Sequence, residues 1–265
     1  MGSATTGALA AARQALSRAG SAVGLKTAEE LFAVGHVLGA SAQLRALVSD
    51  PSTPSAAKSD VVRRVFGGTV SDQTLSLVDA LVGERWSSQD DLLAGIEEIG
   101  VRAIASSAPA QLSLDAELFD VGKAVAAHPD LELALRSKLA TPEAKATLVE
   151  KILSGTASEQ TVALVRQVVM QPRGRSVREA LRKTAAIVAS QAGLSIATVT
   201  SARQLGDAQL KRLQAGLSRA YGRDLRFNQV VDPALIGGLR VQVGDDVIDS
   251  SVATRLASVR LQLAG

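Results

Sequence analysis

The sequence predicts a mostly helical protein, with two tandem helical-bundle copies followed by a small α+β domain. Three observations predict it. Long stretches recur at a shift of 87 residues, apolar residues within each copy follow helical spacing, and from about residue 193 the pattern changes to short strands. A period of 87 lies far above the roughly 20 to 50 residues of solenoid repeats, so each copy is expected to be a small domain.

The repeat is read directly. Leu31-Phe32-Ala33-Val34-Gly35 returns as Leu118-Phe119-Asp120-Val121-Gly122, and GTVSDQTLSLV at 68–78 returns as GTASEQTVALV at 155–165 with seven of eleven positions identical. Thr53-Pro54 matches Thr141-Pro142 at a shift of 88, so the two copies differ by one residue before Leu148. The organisation expected is a leading helix at 1–23, a first bundle at 24–109, a second at 110–190 and the α+β domain at 191–265.

Within each copy about five short helices are expected. Val61, Val62, Val65 and Phe66 recur as Leu148, Val149, Ile152 and Leu153, which predicts an apolar stripe on one helical face. Thr53 and Thr141 stand where N-caps belong, each followed by Pro at the first helical position, where a missing N–H is harmless. Ser71 and Ser158 precede the next helices, whose inward positions are Leu75, Val78 and Val82 in one copy and Val162, Val165 and Val169 in the other.

Past residue 193 the order reads βαββα. Leu194 to Val199 is β-prone, Asp207 caps a helix with Leu210, Leu213 and Leu217 inward, and Gly222 ends it. Leu225 to Val230 alternates, Leu239 to Val243 follows Pro233, and Val247-Ile248 lies beyond the turn Gly244-Asp245-Asp246. Asp249 or Ser250 then caps a last helix with Val252, Leu256, Val259 and Leu263 on one face.

Composition narrows function. Hydrophobic residues make up 46% of the 265, but only 2% are aromatic, and there are two His and no Cys. No thiolate chemistry or disulfide framework is available, and six aromatic side chains cannot form a base-stacking surface. No run of 18 apolar residues occurs, so no membrane span is expected, and the first residues lack the order of a secretory signal. Net charge is +3, yet residues 24–109 carry 7 basic and 11 acidic side chains, so the first copy is acidic.

A residue needed for chemistry in both copies should survive in both. His36 aligns with Lys123 and His128 with Ser41, so neither passes; a solvated helix face and a turn before Pro129 are the expectations. Gly244-Asp245-Asp246 is read as a turn rather than a magnesium-holding hairpin, because two-metal chemistry needs a further carboxylate. Ile236-Gly237-Gly238 lacks the Lys-Ser/Thr of a phosphate loop and is read as a bulge or close backbone approach. Trp86 and Tyr221 are lone aromatics without a motif.

The strongest electrostatic candidate is the basic run Arg173, Arg175, Arg178, Arg182 and Lys183. Spacings of three and four put Arg175, Arg178 and Arg182 on one helical face, either solvated or facing an acidic partner or nucleic acid. No catalytic set, cofactor loop or metal cluster is found. The residues point to a non-catalytic adaptor or structural protein that binds an amphipathic helix along a groove, with a basic nucleic-acid-binding or adaptor protein as the alternative.

From Pro233 to Leu256 the chain resembles the signature of the delta subunit of F-type ATP synthases, related to the mitochondrial oligomycin-sensitivity-conferring protein. The residues that carry it are Gly237, Gly238, Gly244, Asp245, Asp249, Ser251 and Arg255, and Pro172-Arg173-Gly174-Arg175 resembles the family's Gly-Arg turn. About 110–265 corresponds to an ordinary subunit, so the chain is similar to the long form of high-GC Gram-positive bacteria. The helix near 89–107 would then open the second copy and be shared with the first, while Leu9, Leu16 and Val23 open the first.

The resemblance implies a stator subunit of the proton-translocating synthase, peripheral at the cytoplasmic face of the bacterial cell membrane, without cofactor or catalysis of its own. The helical domain would receive N-terminal helices of the alpha subunits and the C-terminal domain would hold the peripheral-stalk b subunits. The second copy is expected to contact the alpha subunits, and the acidic first copy to brace the stalk.

Overall fold

The computed structural model describes residues 2–109, 111–137, 139–222, 224–243 and 246–249. It divides into two compact units, Met1–Val188 and Ala189–Gly265. Among the described residues no single helix is long and apolar enough to cross a membrane.

In the first unit, α1 (Ser3–Ala19) leads through a short 3-10 turn into α2 (Leu25–Ala40), α3 (Ala42–Ser49), α4 (Ser55–Phe66), α5 (Asp72–Gly83) and α6 (Gln89–Ser107). The second copy follows as α7 (Leu114–Ala127), α8 (Pro129–Arg136), α9 (Pro142–Leu153), α10 (Glu159–Met170) and α11 (Val177–Gln191). Five helices per copy agree with the expectation. Serine side chains start several of them, since Ser41, Ser71, Ser88 and Ser158 each accept from the backbone N–H three residues on.

Helix α6 is the centre of the first copy, with Leu92, Ile96, Ile99 and Ile104 fully buried. It packs against α1, α2, α3 and α5. Two glycines let aromatic rings approach it: a Cβ at Gly95 would fall 2.2 Å from Cη2 of Trp86, and one at Gly100 would fall 2.4 Å from Cε1 of Phe32. Trp86 is thus a core residue, with its indole N–H donating to the Leu81 carbonyl at 2.8 Å. On α1, Leu9 and Leu16 are buried as the leading helix requires, and Arg13 Nη2 reaches Glu98 of α6 at 2.6 Å.

Several boundaries differ from the sequence expectation. Thr141 caps α9, accepting from Ala144 N–H at 3.2 Å with Pro142 at the first position, but Thr53 does not cap α4. Asp50 instead takes up the chain there, accepting Ser52 N–H at 2.8 Å, which leaves Pro54 in the cap position. The expected stripe is also narrower. Val62, Phe66 and Val149 are buried, whereas Val65 and Ile152 are 42% and 45% exposed, because at about 100° per residue 61 and 65 lie to one side of 62 and 66. Leu77, not Leu75, completes the buried face of α5.

The second unit holds β1 (Ser195–Ser201), α12 (Asp207–Tyr221), β2 (Leu225–Val231), β3 (Leu239–Val243) and β4 (Asp246–Asp249) in a sheet of order β2-β1-β3-β4. β1 and β2 run parallel across the α12 crossover, and the other pairs are antiparallel. Ala197, Val199, Leu225, Val241 and Val243 form its core, with Leu213, Leu217 and Tyr221 of α12 packed on it. Gly222 ends α12 at φ 63° as expected, but Gly206 rather than Asp207 occupies the cap, its N–H held by Gln209 Oε1 at 3.2 Å. Val247-Ile248 belongs to a fourth strand, so the observed order is βαβββ, and the expected last helix lies outside the described residues.

Candidate partner-binding surfaces

The repeat extends into side-chain chemistry. In the first copy Glu30 Oε2 accepts from Ser71 N–H at 3.0 Å, Ser71 Oγ at 2.6 Å and Thr74 Oγ1 at 2.5 Å. Eighty-seven residues on, Glu117 Oε2 accepts from Ser158 N–H at 3.1 Å and Ser158 Oγ at 2.7 Å. Each glutamate therefore ties the copy's first helix to the start of its fourth. Burial raises the pKa of Glu30, but hydrogen bonds from Ser71 and Thr74 outweigh it and hold the carboxyl below its ordinary value. Glu117 is lowered in the same way, burial being overcome by polar contacts from Thr161 and Ser158. Both glutamates pass the survival test that the histidines failed; the signal is Glu-Leu at 30–31 and 117–118.

The second copy opens a groove of about 270 Å³ between α7, α8, α9 and α10, with Val121, Val125, Leu135, Val149, Ile152 and Leu153 in its walls and Glu117 and Asp120 beside them. At the matching positions of the first copy Val34, Leu38, Val48, Val62 and Phe66 are at most 4% exposed; Val125, Leu135 and Val149 are buried as well and Val65, matching Ile152, is 42% exposed, so the copies differ at Val121 and Leu153. Identical valines at 34 and 121 differ, the first fully buried and the second half-buried. Side chains at the repeat positions show why. The buried Leu38 and Phe66 are replaced by the smaller Val125 and Leu153, and the exposed Val37 and half-buried Val70 by Ala124 and Ala157, although Leu135 and Ile152 stand for the smaller Val48 and Val65. Missing side-chain volume leaves Val121 and Leu153 only partly covered.

The basic run is split by a turn. Arg173 and Gly174 take left-handed backbone at φ 47° and 76°, and α11 begins only at Val177, with Ser176 Oγ accepting from Glu179 N–H at 3.2 Å. Arg175 thus precedes the helix and does not share a face with Arg178 and Arg182. The signal for this boundary was Ser176 three residues before Glu179, the spacing of a capping box. Arg175 Nη2 lies 3.0 and 3.2 Å from the two oxygens of Glu97, and Arg173 pairs with the same carboxylate. Burial, then the neighbouring Arg175, pushes Arg173 down to about 10. Gln171 adds a bond from its amide to the Phe32 carbonyl at 3.5 Å. These residues tie the second copy to the first. Arg178 reaches Glu132 at 3.5 Å and Arg182 is exposed.

A second, polar cleft of about 560 Å³ lies at this joint, lined by His36, Arg45, Asp90, Arg173, Arg175 and Lys183 among others. His36 is therefore half-buried beside the cleft, not on a solvated face. His128 is exposed at the α7–α8 junction before Pro129, as expected. Among the described residues no group of three metal-binding side chains comes together.

Of the C-terminal signature, Gly237 and Gly238 have φ of 67° and 81°, a conformation that favours glycine, in the turn that leads into β3. Asp232 starts that turn, accepting Ala234 N–H at 3.0 Å. They lie between β2 and β3, outside both strands, and so are not a bulge within the sheet. Asp249 ends β4 opposite Arg240, whose Nη2 is 3.0 Å away. Pairing of β3 and β4 closes on Val243 and Asp246. Gly244, Asp245, Ser251 and Arg255 lie outside the described residues.

Residues 101–263 match the family described as ATP synthase delta (OSCP) subunit. The chain is 56% identical over 265 residues to the ATP synthase subunit delta of Leifsonia xyli subsp. xyli, covering 100% of both chains. It is 43% identical over 263 residues to that of Kineococcus radiotolerans, covering 97% of this chain and 95% of the relative. Against that of Streptomyces griseus subsp. griseus, identity is 39% over 271 residues with 100% of each covered. The family match begins inside α6.

Proposed function

The chain belongs to the ATP synthase delta (OSCP) subunit family, a stator component of the ATP synthase, and from that premise we propose how its parts divide the work. The second helical copy receives the N-terminal helices of the alpha subunits, and the C-terminal unit holds the b subunits of the peripheral stalk. The first copy braces the stalk through its acidic surface. The subunit is non-catalytic and resists rotor torque, peripheral at the cytoplasmic face of the membrane. Four functional units follow the repeat and the change to strands: the leading helix, two bundles and the stalk-binding domain.

The observation that carries this reading is the groove of the second copy, where Val121 and Leu153 are half-buried while their counterparts Val34 and Phe66 are buried. Its aliphatic walls suit an amphipathic helix, which would bury Ile152 and Val121 with its apolar face. Ion pairing of Arg173 and Arg175 with Glu97 supports a mechanical link between the copies. Gly237, Gly238 and Asp249 serve the C-terminal unit as structural residues of its hairpin, with Gly244, Asp245, Ser251 and Arg255 assigned to the same surface by family resemblance. Arg178 and Arg182, on the outer side of α11, remain as the interface cations.

The test is a pull-down with the full chain as bait against the catalytic head and b-subunit peptides. Capture of both supports the proposal. Capture of b peptides with loss of the head, or the reverse, removes the corresponding half of it.

A further inference from the structure

The polar cleft at the joint between the copies brings together four cations, Arg45, Arg173, Arg175 and Lys183, of which Arg173 also feels Asp90 and Arg175 also feels Glu179. Arg173 and Arg175 share one carboxylate, Glu97. Arg45 is held by neutral acceptors, the Gly39 carbonyl at 2.8 Å and Gln89 Oε1 at 3.0 Å, and among the described residues it has no carboxylate partner. Lys183 also lacks a carboxylate within ion-pair distance among the described residues. Of the acids near it, Glu98 is taken by Arg13 and Arg102, at 2.6 and 2.8 Å, and Asp91 accepts the Thr5 hydroxyl at 2.8 Å. Asp90 is the one acid of the lining. Lys183 is solvent-exposed, and desolvation first, then Arg175 and Arg173, push its ammonium below its ordinary pKa against the pull of Glu98 and Asp91.

We infer that this cleft is a binding site for a multiply charged oxyanion, a chain of phosphate groups held by Arg45, Arg173, Arg175 and Lys183. Guanidinium groups match phosphate oxygens geometrically, and Lys183 supplies a mobile point charge. No Phe, Tyr or Trp lines the cleft and His36 is its one aromatic ring, so the phosphates carry most of the recognition. Since Arg45 comes from the first copy and the other three from the second, a bound anion would also strengthen the joint. The inference does not depend on the stator assignment.

Two chemical sources are possible, free polyphosphate and the phosphate chain of a nucleotide. Isothermal titration of the full chain with sodium tripolyphosphate and with ATP, at matched ionic strength, separates them. One-to-one binding of tripolyphosphate, with ATP within about threefold of it, is the expected result. Lys183→Ala and Arg45→Ala should each weaken it at least tenfold, while Arg182→Ala, on the same helix but outside the lining, leaves it unchanged. Binding should also raise the thermal midpoint of the wild-type chain and not that of Lys183→Ala. Absence of heat beyond the ionic-strength control, binding of ATP without tripolyphosphate, or full affinity in both cleft variants overturns the inference.

Discussion

Arg175 and Glu97, 78 residues apart, meet through one guanidinium nitrogen placed 3.0 and 3.2 Å from both carboxylate oxygens. Arg173 shares that carboxylate, so one buried acid on α6 anchors two cations from the turn before α11. Glu97→Gln keeps the shape and removes the charge, leaving two partly buried guanidinium groups uncompensated. Stability of the full chain in denaturant should fall by about 3 kcal/mol. A Glu97→Gln, Arg175→Gln double variant should lose less than the sum of the two singles.

Glu30 and Glu117 give the fold an acid-sensitive element. Both have folded-state values lowered, so they stabilise the folded chain above the unfolded glutamate value and lose that contribution as pH falls through the folded one. Acid unfolding should therefore set in below about pH 4.3. Glu30→Gln and Glu117→Gln should each lower stability at pH 7 by about 1–2 kcal/mol and flatten the dependence on pH in that acid range, as read by circular dichroism.

The matched pair Ile152 and Val65 tests the division between copies. Both are exposed to a similar degree, at 45% and 42%, on equivalent helices. Ile152→Asp should weaken binding of an alpha-subunit N-terminal peptide at least tenfold, about 1.4 kcal/mol, in fluorescence anisotropy. Val65→Asp should leave that affinity unchanged.

Gly95 is required by its neighbour. Gly95→Ala would drive a methyl group into the Trp86 ring, which its bond to Leu81 holds in place, and should cost about 1–3 kcal/mol of thermal stability. Gly7→Ala, with nothing near the added carbon, should instead stabilise α1 by about 0.5–1 kcal/mol.

Much of this architecture is legible in the chain because the repeat makes each copy a check on the other. Shared patterns such as Ser71 and Ser158 report the common fold, and helix boundaries at them are right because a serine cap is a local device. Thr53 fails as a cap since Asp50, three residues earlier, competes for the same turn. The groove depended on differences rather than identities: Phe66 against Leu153 is unremarkable in either sequence, and only packing shows that one fills space the other leaves open. Glu97 carries no motif at all. Its partners are distant in sequence, and the left-handed turn at Arg173-Gly174 that aims them is a backbone property.

The division of labour between the copies is tested most directly inside the assembled synthase. A photo-crosslinking residue placed at position 152, and separately at position 65, can be activated in the intact complex and its adducts identified by mass spectrometry. The account predicts alpha-subunit N-terminal adducts from position 152 and none from position 65. Alpha-subunit adducts from position 65 with none from position 152 would contradict it.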